Sequence, residues 1–308
     1  MSWRNRSGIW WTGLAVVAAA CGPGDSASQD GGSGAATLCT SLPSEPTSVA
    51  ELSVARAHHD VIFDADGHLI GSDGFNLIRA DLDDGWDVYA PMGGPVEQLA
   101  WLPNGDLVAA DASGLLRITA DGGSSRLTAD EPTYAVIVGP DGLVYSVTAN
   151  GWIRRVDPAT GEREDFVTVQ AFPSVLAFSP DATRLYVGTT GTVDESAAVF
   201  AVDLGPDLQP TGDGYAFATG VGEGFHDGIG VDSCGDVYVT DFSTKRLYRI
   251  TPDGEPSILK QWTDTSYGHG LEWGSGVGGF RSDALYMPQP FDGDTVVEVV
   301  VGVGSAWP

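Results

Sequence analysis

The stretch DGIGVDSCGDVYVTD, residues 227–241, joins two apolar, β-branched runs through a turn of Asp, Ser, Cys and Gly. Alternating apolar residues on either side of such a turn describe an antiparallel hairpin. The same unit recurs along the chain. VIFDADG (61–67), LAWLPNG (99–105), VIVGPDG (136–142) and LAFSPDA (176–182) align with IGVDSCG (229–235). Each is followed by a second apolar run (LIGSD, LVAAD, LVYSV, RLYVG, DVYVTD) and a third (LIRADL, LLRITA, IRRVDP, VFAVDL, RLYRIT). A looser sixth copy runs through Gly270–Gly274, Ala284–Met287 and Val296–Val301.

In this register the residue eight before the turn glycine, or before its equivalent Ala182, is His59, Glu97, Tyr134, Ser174 and Asp227, and His269 joins them by aligning Gly270 with Gly228; the intervals are 38, 37, 40, 53 and 42. Four short strands per repeat at that period predict an all-β chain folded as a six-bladed β-propeller. The sixth blade runs out of chain after its third strand, so TSVAELSVA (47–55) is expected to supply the outer strand and close the ring. The long interval places an insertion in the fourth blade, expected as a loop around Gly191–Asp213.

The first strand of every blade lines the axis of a propeller, so residues about 40 apart in sequence meet there. His59, Glu97, Asp227 and His269 are therefore candidate metal ligands: two imidazoles and two carboxylates suit zinc, manganese or iron, whereas calcium favours oxygen alone. A metal held there lowers the pKa of bound water and polarises a carbonyl. His58 and His226 are candidate proton-transfer groups beside the ligands, and Tyr134 a candidate oxyanion donor or pocket wall. Asp73, Asp111 and Asp241 each lie 14 residues beyond a ring position and are read as acceptors for loop amides.

Residues 227–241 in particular resemble the Asp-Gly strand and following G-x-V-Y-V strand of the gluconolactonase, or senescence-marker-protein, family and the related NHL-type propellers. The resemblance covers roughly residues 46–308. It implies a divalent metal, usually calcium or zinc, on a Glu, two Asn and an Asp, and enzymes that open lactones or cleave related esters. Asp227 matches the aspartate. His59 stands where the resemblance expects glutamate, Ser174 where it expects asparagine, and Tyr134 where it expects a polar amide. A non-catalytic propeller binding a ligand or partner protein is the alternative. The paired imidazoles also bear a loose likeness to peptide-amidating lyases.

Composition agrees with a turn-rich β fold and restricts the partners. There are 42 Gly and 18 Pro, and the net charge is −27, from 42 acidic against 15 basic residues. Such a surface repels phosphate backbones, which excludes nucleic acid and leaves a small-molecule substrate or ligand as the expected partner of a monomer. No G-x-S-x-G, H-E-x-x-H, G-x-x-x-x-G-K or C-x-x-C motif is present.

Arg4 and Arg6 precede an apolar run from Gly8 to Ala20 and then Cys21, the layout of a signal peptide (1–21) with a lipobox-like end. Residues 22–45 read as a tether, with no large apolar residue before Leu38, and 46–308 as the propeller. The expected location is the bacterial cell envelope, with membrane contact only through a lipid on Cys21. Cys39 and Cys234 are then left to form a disulfide in an oxidising compartment.

Overall fold

The computed structural model describes residues 39–52, 57–83, 85–129, 131–190, 197–263, 268–289 and 295–307. Cys21, with the expected signal and most of the tether, lies outside them. Twenty-four strands, β1 to β24 in chain order, form six four-stranded antiparallel sheets. The innermost strands are β2 (Val61–Phe63), β6 (Val96–Trp101), β10 (Thr133–Val138), β14 (Pro173–Phe178), β18 (His226–Val231) and β22 (Glu272–Trp273). The ring closes as the repeat predicts. β1 (Ser48–Leu52) pairs with β24 (Thr295–Val300), so the last blade is built from both ends of the propeller.

Each repeat buries its strands against the next. Six apolar clusters occupy the six blade interfaces, for example Ile62, Ile70 and Leu77 of the first blade against Val96, Leu99 and Leu107 of the second. A strand between two neighbouring blades is covered on both faces. This is why VYSVT in β11 (Val144–Thr148) is buried throughout, while the outermost strands are largely exposed. The hairpin turns need a left-handed residue, met by Gly67, Gly105, Gly142 and Gly235 and, in the fourth blade, by Ala182 at φ 55°.

The span 191–213 is not one loop, because it contains β16 (Ala198–Asp203), the third strand of its blade. The apolar Ala198–Val202 run is buried against both neighbouring blades, and the surplus length falls on either side of it. The Cys39–Cys234 disulfide is present, spanning 195 residues. It staples the chain entering the propeller to the hairpin turn of the fifth blade, where Leu42 packs on the core between blades five and six.

The two ends of the channel differ. After β24 the chain turns under the ring: Ala306 N–H donates to Val231 O at 2.9 Å, and Trp307 Nε1–H to Phe178 O at 3.2 Å. This tail runs beneath blades five and four, and the ring-position residues lie at the opposite end, the upper face.

Candidate functional site

Glu97, Tyr134, Ser174 and Asp227 reach the channel by a shared device. In each of these four blades the ladder between the first and second strand slips by one residue, and the ring position is the residue left unpaired. Such a β-bulge releases one side chain from the alternation of the strand and re-aims it. His59 and His269 lie just ahead of their inner strands, at the same level.

Close approach of strands gathers four of these six. The residue after the ring position is glycine in blades five and six. A Cβ on Gly228 would stand 2.7 Å from His269 O, and one on Gly270 2.4 Å from Asp60 Oδ1 and 2.7 Å from His59 O. Without side chains at these points, blades five, six and one draw together, and Gly270 N–H donates to His59 O at 2.8 Å. In blades one and two the position holds a staple instead. Asp60 Oδ2 accepts from Leu99 N–H and Gln98 Oε1 from Val136 N–H, both at 2.9 Å, tying blade one to two and two to three.

His59, Glu97, Asp227 and His269 consequently share one corner of the channel mouth. His59 Nδ1 is 3.7 Å from Glu97 Oε2, and His269 Nδ1 is 2.9 Å from Asp227 Oδ2. The two imidazoles meet edge to face at 5.3 Å, with His58 against His59 at 4.6 Å. Burial, reinforced by His269 and His58, pushes His59 down to about 4 and keeps it neutral near pH 7. Burial and the charge of Asp227 push Glu97 up.

Two buried groups at this corner have unused hydrogen-bonding capacity. Asp227 Oδ2 makes no hydrogen bond of sound geometry despite its approach to His269. Gln289, 1% exposed, has neither amide atom bonded, and it follows Pro288, whose carbonyl accepts His269 N–H at 3.2 Å. Buried polar atoms left in this state are uncommon and call for a partner such as water or an ion. A neutral imidazole and the orphaned carboxylate oxygen fit a divalent metal. The donors stand as two pairs, however: no three of them lie within 4.8 Å of one another, so closing on one ion requires side-chain rotation.

The remaining sequence candidates separate. His226 is corrected: it is not a channel group. Its ring is fully buried. There Nδ1 accepts Thr189 N–H at 3.0 Å and Nε2 donates to Val221 O at 2.7 Å. Both nitrogens are committed to backbone, leaving none for proton transfer. Tyr134 packs against Phe172 at 6.3 Å, and Ser174 donates to His226 O at 2.7 Å. Asp73, Asp111 and Asp241 accept loop amides, as read.

Sequence reasoning missed Asp60 and Glu272. Glu272 lies three residues beyond His269, its Oε1 accepting Trp273 N–H at 2.9 Å, and burial pushes it up to about 7. Asp60 is pushed well above the usual carboxylate range by burial and then by Glu272. Their signal was position: both sit at or beside the predicted inner strands. A tight acidic group at the opposite end, Asp64, Asp66 and His68, belongs to the first hairpin turn, where Asp64 Oδ1 accepts the N–H of Asp66 and of His68.

The family model of the SMP-30/gluconolactonase/LRE-like region matches residues 61–260. No curated protein matches the sequence. Among solved structures, a gluconolactonase from Xanthomonas campestris superposes with a TM-score of 0.66 at 18% identity, covering 84% of this chain and 91% of that one. The calcium-binding protein regucalcin from Agrobacterium tumefaciens gives 0.65 at 19%, covering 85% and 96%. An auxiliary nutrient binding protein from Bacteroides thetaiotaomicron gives 0.64 at 12%, covering 85% and 73%. At these identities the structural likenesses establish the fold alone.

Proposed function

The chain belongs to the SMP-30/gluconolactonase/LRE-like family, and from that premise we propose that it is a metal-dependent hydrolase of a lactone or ester. The observation that carries the reading is the convergence of His59, Glu97, Asp227 and His269 from four blades on one corner of the channel mouth, with Asp227 Oδ2 buried and unbonded.

These four residues would hold the ion. When bound, it supplies a Lewis acid for the carbonyl and a more acidic water. Asp227 Oδ2 stands 2.9 Å from His269 Nδ1, close enough for both to turn toward one ion. His59 presents a neutral imidazole at neutral pH, because its protonated form is disfavoured by burial and by two neighbouring histidines. Glu97, with Oε2 3.7 Å from His59 Nδ1, would add its carboxylate to the ligand set beside that ring. The net charge of −27 favours a neutral or cationic substrate over an anionic one. The N-terminal pattern of Arg4, Arg6, an apolar run and Cys21 supports placing the enzyme on the bacterial envelope through a lipid on that cysteine.

Metal analysis of the purified protein, followed by a lactone and ester panel with and without chelator, tests the reading. One equivalent of metal and chelator-sensitive hydrolysis are expected. A protein without metal that turns over nothing would instead be a binding platform, in the manner of the nutrient binding protein from Bacteroides.

A further inference from the structure

The upper face is divided into a polar part and an aromatic part. Ring positions in blades one, two, five and six carry the titratable quartet. In blades three and four they carry Tyr134 and Ser174, and the Ser174 hydroxyl is spent on His226 O. Apolar side chains fill what the charged ones leave. Five large apolar residues are exposed beside the upper-face ends of the strands: Phe75, Tyr134, Trp152, Phe172 and Phe225. All are aromatic, and the last four belong to three consecutive blades, Tyr134 and Trp152 to the third, Phe172 to the fourth and Phe225 to the fifth. Other exposed apolar residues, the aliphatics Val49, Val88 and Ile258 and the aromatics Trp86 and Tyr215, are spread over the outermost strands instead. Singly scattered exposed apolar residues need no explanation, but a concentration of aromatic ones on one face does.

The aromatic residues form two linked groups. Tyr134 and Phe172 rings are 6.3 Å apart, and a Cβ on Gly151, next to Trp152, would stand 3.9 Å from the Phe172 ring. Phe225 and Phe242 are 5.4 Å apart, and Phe242 meets His269 at 4.9 Å, so this second group ends on a member of the quartet. The backbone beneath is braced. Phe172 O accepts Thr190 N–H and Phe225 O accepts Phe242 N–H, both at 2.9 Å. Asp241 Oδ2 accepts the N–H of Glu223, Gly224 and Phe225 at 3.0–3.1 Å, while His226 Nε2 holds Val221 O. Four hydrogen bonds from two buried side chains fix the loop that presents Phe225. Braced, exposed aromatics offer stacking surface at low entropic cost.

We propose that this arc is the subsite for a flat aromatic portion of the substrate, so that the ligand is an uncharged aryl lactone or aryl ester whose carbonyl lies over the quartet while its ring stacks on Tyr134, Phe172 and Phe225. The choice of carbonyl compound rests on the hydrolase reading; the preference for a ring rests on the arc.

Two hydrolysis-resistant probes separate them: 3,4-dihydroquinolin-2-one, a benzo-fused lactam, and 2-piperidone, the same lactam ring alone. Binding is read by calorimetry and by chemical-shift perturbation on the unmodified protein, on Tyr134→Ala/Phe172→Ala and on Phe225→Ala. The substituted side chains are exposed, and melting curves check the fold. The fused lactam is expected to bind about tenfold more tightly than piperidone, an increment of about 1.4 kcal/mol, with the double variant losing most of that advantage. Equal affinities, or an advantage that survives in all variants, would overturn the subsite. Fused-lactam preference without turnover of any lactone or ester would sink the hydrolase reading and leave the subsite standing. Turnover of aliphatic and aryl lactones with equal kcat/KM would do the reverse.

Discussion

Gly270→Ala should be one of the most damaging small substitutions in this protein. The added methyl would stand 2.4 Å from Asp60 Oδ1 and 2.7 Å from His59 O. Neither neighbour can retreat cheaply. His59 O accepts the N–H of Gly270 itself at 2.8 Å, and Asp60 is held through Oδ2 by Leu99 N–H at 2.9 Å. Ordinary carbon–oxygen contact would require blades six and one to part by roughly 0.5–1 Å at their narrowest point, and overpacking of this kind costs about 1–3 kcal/mol. For a domain of this size that is a fall of roughly 3–10 °C in Tm. Gly94→Ala is the control, because a Cβ there meets nothing within 4 Å; it should be neutral or slightly stabilising. Differential scanning fluorimetry of the two variants decides the matter. Equal melting temperatures would refute the claim that glycine is required for the close approach that brings His59 and His269 together.

Other perturbations have defined outcomes. Glu272→Gln tests the buried carboxyl: its folded-state pKa of about 7 lies above the ordinary 4.5, so the native state retains a proton that the unfolded chain has released. Stability is therefore lost as pH rises from about 4.5 to 7, and the variant should gain on the parent across that window by up to about 3 kcal/mol, read by urea melts at pH 5 and 8. Cys234→Ser should lower stability by about 2–5 kcal/mol, with dithiothreitol reproducing the loss in the parent; an unchanged midpoint would mean that the staple is not closed in solution. His226→Ala should cost several kcal/mol, since Thr189 N–H and Val221 O lose their partners, yet leave metal content per folded protein unaltered. His59→Ala should do the opposite, abolishing metal uptake with little change in melting.

The propeller was legible because its turns repeat. The Asp-Gly and Asn-Gly hairpins at residues 66–67, 104–105 and 141–142 mark the period, and the apolar runs beside them name the strands. Counting back from the turn glycines 67, 105 and 235, and aligning Gly270 with Gly228, also put His59, Glu97, Asp227 and His269 in one register, which places residues on one ring whatever the loops between them. The bulges that turn Glu97 and Asp227 inward follow from local backbone geometry and have no composition of their own. His226 was misplaced by proximity in sequence: Asp227 is the unpaired bulge residue, whereas His226 keeps its place in the ladder opposite Asp241. The aromatic arc was invisible because Trp152 lies in a loop and Phe172 and Phe225 precede their strands, outside the repeat used for alignment.

The most direct measurement is an anomalous difference map from crystals grown with zinc or manganese, recorded at the metal edge. A single strong peak about 2.0–2.3 Å from the imidazole nitrogens of His59 and His269 and from a carboxylate oxygen of each of Glu97 and Asp227 is predicted. A channel mouth without such a peak, or a peak only at the turn of Asp64, Asp66 and His68, would contradict it.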